Sequence, residues 1–124
     1  MPPTPSRARF RDKGNSVPDL SIDRLREAEF EAMLRNYVLE ECADLRCEIF
    51  LFGSRARGAI RRSSDFDIGI RGLSPEQFRR VSRRVEDWVE ESRIPHRVDL
   101  VDFDRAEASF QAIATKETQI WKSA

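Results

Sequence analysis

A chain of 124 residues holds one domain with one modest core rather than two. Its 22 Lys and Arg balance 22 Asp and Glu, so the net charge of zero gives no pointer to a nucleic-acid partner. No run approaches the roughly 18 apolar residues that span a bilayer, and the N-terminus lacks the apolar stretch of a secretory signal. A cytoplasmic protein with no membrane and no nucleic-acid partner is expected.

Residues 1–18 carry four of the six prolines and a basic excess in Arg7, Arg9, Arg11 and Lys13. That composition buries too little apolar surface to offset its ordering entropy, which predicts a flexible arm ahead of a domain at 19–124. Over residues 19–45, Leu25, Ala28, Met33, Leu34, Tyr37 and Val38 recur at helical spacing between Glu and Arg. Cys42 and Cys47 lack the companion pair a zinc site needs and read as small apolar packing residues. Residues 48–52 form a short apolar run ending in Gly53-Ser54, as a buried strand followed by a turn would. Residues 65–70 alternate, with Phe66, Ile68 and Ile70 on one side and Asp65, Asp67 and Gly69 on the other.

Ser74-Pro75-Glu76-Gln77 reads as a capped helix start, with Phe78, Val81, Val85, Trp88 and Val89 as its buried stripe and Pro95 beyond its end. Residues 97–103 alternate again, and a last helix over residues 106–121 is expected to bury Phe110, Ile113, Ala114, Ile120 and Trp121. The order helix, strand, strand, helix, strand, helix predicts an α/β (α+β) fold, a small mixed sheet flanked by helices.

The segment from Gly53 to Asp67 carries the chemistry. A glycine after a strand turns sharply and lets the backbone approach a phosphate, and Ser54 adds a hydroxyl beside backbone N–H groups. Gly-Ser alone is a weak signal, since many strand-ending turns look alike. Asp65 and Asp67, two apart on a strand, project from one face, and each raises the other's pKa unless a cation intervenes. Mg²⁺ suits them, preferring hard oxygen ligands and keeping positions for phosphate oxygens. Asp99 lies mid-strand between Val98 and Leu100, where an unpaired carboxylate is costly. If the strands are neighbours, three carboxylates converge, enough for two metal ions. Asp102 and Asp104 rank below these three.

Gly53-Ser54, ten residues, then Asp65-x-Asp67 and a later strand with Asp99 resemble the DNA-polymerase-β-like nucleotidyltransferase superfamily. The likeness is closest to its minimal, MNT-type members, antitoxins that act beside HEPN ribonuclease toxins, and covers residues 20–124. By resemblance, Gly53 and Ser54 hold the nucleotide phosphates, with Arg55 and Arg57 reaching the triphosphate. Asp65, Asp67 and Asp99 form the catalytic set and ligate Mg²⁺, with two ions expected, and Asp99 helps deprotonate the acceptor. Arg61 and Arg62 enlarge the positive charge of the same loop. The resemblance implies transfer of AMP from ATP to a hydroxyl, a tyrosine of a partner HEPN-type toxin, by the antitoxin of a type VII toxin–antitoxin pair. Two rivals stand beside it: an antibiotic-type small-molecule nucleotidyltransferase, and a non-catalytic antitoxin that blocks its partner by contact.

Overall fold

The computed structural model describes residues 20–56 and 65–124, with side chains from Arg24 onward. The arm expected at 1–18 and the loop residues Arg57, Arg61 and Arg62 lie outside the described residues. Seven elements follow one another: α1 (Leu20–Glu41), β1 (Glu48–Phe52), β2 (Phe66–Arg71), α2 (Pro75–Glu91), β3 (Val98–Asp102), α3 (Ala108–Ala114) and β4 (Gln119–Lys122). Packing divides the chain after Met33, and the sheet belongs entirely to the unit Leu34–Ala124.

In that unit the strands stand in the order β3-β2-β1-β4. β1 runs antiparallel to both β2 and β4, whereas β2 and β3 are parallel, joined by a crossover through α2. A parallel pair requires such a crossover, and α2 supplies it. The expected mixed α/β sheet is what the chain forms.

Alternation along the strands gives the sheet two faces. Ile49, Leu51, Phe66, Ile68 and Ile70 share one, and all are almost wholly buried. The last turns of α1 bury Leu34 and Val38, Cys42 just beyond the helix continues that stripe, and α2 buries Val81 and Val85. Tyr37 in the last turns of α1 stacks on Trp88 of α2 with ring centroids 4.6 Å apart, and Arg84 reaches Glu41, so the end of α1 packs on α2. Cys42 and Cys47 are reduced and buried, as expected of packing residues. Burial and the neighbouring Cys47 push the Cys42 thiol up to about 12, which keeps it inert as a nucleophile.

The other face holds an aromatic cluster of Phe50, Phe52 and Phe103, with Val101 and Ala114 packed against it. Phe103 meets Phe50 and Phe52 edge-on at 4.8 and 5.2 Å. Gly69 is required here, because a Cβ would stand 2.5 Å from the Phe50 ring and 2.7 Å from that of Phe103.

Helix α2 starts as its sequence dictates. Gln77 N–H donates to Ser74 Oγ (3.1 Å), and Ser74 N–H donates to Gln77 Oε1 (2.9 Å), a complete capping box with Pro75 at the first helical position.

The C-terminal region corrects the sequence expectation. In place of one helix over residues 106–121, α3 stops at Ala114 and the chain returns as β4 on the outer side of β1. Phe110, Ile113 and Ile120 are not buried, with 42%, 69% and 53% of their surface exposed. Lys122 instead ties the strand down. Its Nζ donates to the carbonyls of Cys42 (2.8 Å) and Leu45 (2.6 Å), which continue from the end of α1.

Candidate functional site

Asp67 sits in the second position of β2, with Phe52 beside it on β1 and Asp99 beside it on β3. The parallel pairing of β2 with β3 therefore brings two carboxylates of distant sequence to adjacent strands on one face. Asp65 stands just before β2, on the same side by alternation. Burial, then Asp99, then Asp65 raise the Asp67 carboxyl above the ordinary aspartate range. Asp99 is partly exposed at the sheet surface, and its Oδ1 lies 3.3 Å from Arg97 Nε. An ion pair this open to water contributes little to stability, and leaves the carboxylate approachable.

The chain turns immediately after Phe52. Gly53 has φ +79°, and Ala56 N–H donates to its carbonyl at 3.2 Å, which closes a turn over Ser54 and Arg55. A Cβ on Gly53 would lie 2.5 Å from Asp67 Oδ2. So the glycine is demanded twice, by its left-handed backbone and by the carboxylate it lies against. Gly53→Ala is expected to lower stability by about 1–3 kcal/mol, read as a fall in the urea midpoint. An unchanged midpoint would show that the turn relaxes freely away from Asp67.

The structure thus brings Gly53, Ser54, Asp65, Asp67 and Asp99 to one end of the sheet. Arg55 follows Gly53 and Ser54 in the same turn. Arg55 is only 2% exposed, and its guanidinium lies 3.9 Å above the Phe66 ring, on the face opposite Asp67 by strand alternation. The guanidinium thus packs beneath the turn. Arg57 lies outside the described residues. Asp102 pairs with Arg105 at 2.6 Å and Asp104 accepts from Gly72 N–H at 2.7 Å, so both serve the turn after β3 rather than the carboxylate cluster.

Asp67 and Asp99 are register partners on adjacent strands, and Asp65 stands just before β2. Among the described residues, no group of three or more ligating side chains is gathered around one point.

Residues 39–123 match the family description "Polymerase beta, Nucleotidyltransferase". The chain belongs to this nucleotidyltransferase family. It is 35% identical over 69 residues to the probable protein adenylyltransferase MntA of Haemophilus influenzae. That match covers 55% of this chain and 59% of MntA, so it spans less than two thirds of the relative's length.

Solved structures share the fold at lower identity. One is a toxin–antitoxin crystal structure with AMP-PNP, with a TM-score of 0.56, 21% identity and 73% of each chain covered. Another is a tri-AMPylated Shewanella oneidensis HEPN toxin in complex with MNT antitoxin. It gives a TM-score of 0.53 at 17% identity, covering 75% of this chain and 72% of that one. At such identities the likeness concerns the fold.

One part of the nucleotidyltransferase surface escaped sequence reasoning. Phe52, Gly53, Phe110 and Lys116 line a cleft beside the turn. Reading residues 106–121 as one helix hid it, because that reading buries Phe110 and Ile113, which line the cleft, and keeps Lys116 and Glu117 inside the helix. The polar stretch Thr115-Lys116-Glu117-Thr118 was the available signal for a break in that helix.

Proposed function

We propose that this nucleotidyltransferase transfers AMP from ATP to a hydroxyl of a partner protein, a tyrosine of a HEPN-type toxin, and so acts as the antitoxin of a type VII pair. The observation that carries the reading is the register Asp67 beside Asp99, with Asp67 Oδ2 lying against the Gly53 turn. Negative side chains crowded beside a tight glycine turn are costly in a purely structural surface, and suit a site that positions a triphosphate and an attacking hydroxyl. The relatives support the same reading, since MntA is named a probable protein adenylyltransferase and the Shewanella structure holds an AMPylated toxin with its antitoxin.

In this reading the turn at Gly53 and Ser54 holds the phosphates through backbone N–H groups and the Ser54 hydroxyl. Asp99, partly open at the sheet surface, accepts the proton of the acceptor hydroxyl. The hydroxyl oxygen bonds to the α-phosphorus, the bond to the β-phosphate oxygen breaks, and pyrophosphate leaves. Asp65, Asp67 and Asp99 are hard oxygen donors, and burial, then Asp99 and Asp65, raise the Asp67 carboxyl in a way a nearby cation would oppose. Those residues would hold Mg²⁺, which supplies neutralisation of the triphosphate charge. The AMP added near the toxin's own site silences it by bulk and negative charge.

Intact mass of the partner protein after incubation with this chain, ATP and Mg²⁺ tests the proposal. A gain of one or more AMP units is expected, absent with the Asp65→Asn/Asp67→Asn protein. Tight complex formation with no mass gain would establish inhibition by contact instead.

A further inference from the structure

The cleft beside the Gly53 turn has a volume of about 560 Å³, within the range of small-molecule sites. Phe52 and Gly53 form one wall, Phe110 and Ile113 of α3 the other, and Lys116 and Glu117 lie where the chain leaves the helix. We propose that this cleft takes the nucleoside of the triphosphate, with Phe110 as the platform on which the base stacks. The inference rests on the nucleotidyltransferase reading above, and assigns the substrate's other half to named residues.

Continuity carries the argument first. Gly53 belongs both to the cleft lining and to the turn that lies against Asp67. A nucleotide is one connected molecule, so phosphates at that turn place the nucleoside in adjoining space, and among the described residues this cleft adjoins it.

The lining also has suitable chemistry. Phe110 is held edge-on to Phe52 (6.0 Å, 86°) and packs on Phe103 (5.7 Å), yet 42% of its surface is exposed. A ring braced on one side and open on the other is what base stacking uses, and stacking tolerates any base because each has a π-face. Lys116 brings a cation for the negative ligand, and Glu117 an acceptor for exocyclic amino groups of a base. An apolar segment of a partner protein would use the exposed Ile113 but would leave Lys116 and Glu117 without a role.

Titration of the full chain with ATP and, separately, with inorganic tripolyphosphate, both with Mg²⁺, tests the assignment. The wild type should bind ATP at least about tenfold more tightly than tripolyphosphate. Phe110→Ala should weaken ATP about tenfold and leave tripolyphosphate unchanged. Phe110→Leu, which keeps an apolar group in the cluster, should show the same selective loss and serves if the alanine protein does not fold. ATP affinity untouched by both substitutions, with tripolyphosphate still bound, would overturn the nucleoside cleft and leave the phosphate site standing. If the same substitutions weakened only toxin binding, the face would be a partner surface and the assignment would fall. Wild type that binds neither ligand would overturn the nucleotidyltransferase reading itself, and the cleft with it.

Discussion

Asp67→Asn is expected to cut the proposed AMP transfer by about 10³-fold while leaving the protein folded and, at neutral pH, more stable than the wild type. The loss in rate follows from position. Asp67 is the one carboxylate flanked by both other acids and the Gly53 turn, and charge stabilisation at a transferring phosphate is worth several kcal/mol, each 1.36 kcal/mol being tenfold in rate. The gain in stability follows from linkage. A carboxyl whose folded pKa is raised binds its proton more tightly in the folded state than in the unfolded one. Folding is therefore favoured in acid, and that advantage is lost as pH rises from the ordinary carboxylate range through the raised value. Asparagine carries no such loss. Urea midpoints should place the variant above the wild type at neutral pH, with the gap closing as pH falls. A variant less stable at neutral pH would mean that Asp67 serves the fold through hydrogen bonding rather than the site through charge.

Phe103→Ala is expected to lower stability by about 3–5 kcal/mol. The ring is wholly buried, meets Phe50, Phe52 and Phe110, and lies against the site where Gly69 has given up its side chain. No neighbour can collapse into that space without moving the sheet or α3, so both the transfer term and the cavity term apply. Since small domains are stable by about 5–15 kcal/mol, the loss takes a large part of the total. Ile113→Ala, at an exposed position of α3, should cost less than about 0.5 kcal/mol and provides the contrast. Chemical denaturation of the two variants settles the order. Equal midpoints would show that the aromatic cluster is loosely packed. The active-site consequence is specific as well: Phe103 also supports Phe110, so ATP affinity should fall together with stability in Phe103→Ala.

Much of the site was legible because its determinants are local. Alternation puts Asp65 and Asp67 on one side of a strand whatever the strand pairs with. A glycine directly after an apolar run signals a turn, and Gly53 proved to need both its φ and its missing Cβ. The capping box of α2 is likewise written in four consecutive residues and forms as written.

The C-terminal misreading has a physical cause. Phe110, Ile113, Ala114, Ile120 and Trp121 fit one helical stripe, but Ile120 and Trp121 belong to a strand that pairs with β1, some 70 residues earlier in the chain. Pairing with a distant strand decides such a short segment, and β-branched and aromatic residues accept that outcome readily. Arg55 shows the same dependence on distant residues. Its place after Gly53-Ser54 is compatible with a phosphate contact, yet which side of the turn it takes depends on Phe66 waiting on the far face.

By itself, then, the sequence determined the strand alternation, the glycine turn, the helix cap and the three acids that make a nucleotidyltransferase site conceivable, since each rests on neighbours in the chain. Only the tertiary structure decided that β3 lies parallel beside β2 so that Asp99 meets Asp67, that β4 closes the other edge, and that α3 leaves a cleft next to the turn. Strand order and the packing of α3 depend on backbone hydrogen bonds and apolar contacts between residues far apart in sequence, and no local pattern encodes which distant partner wins.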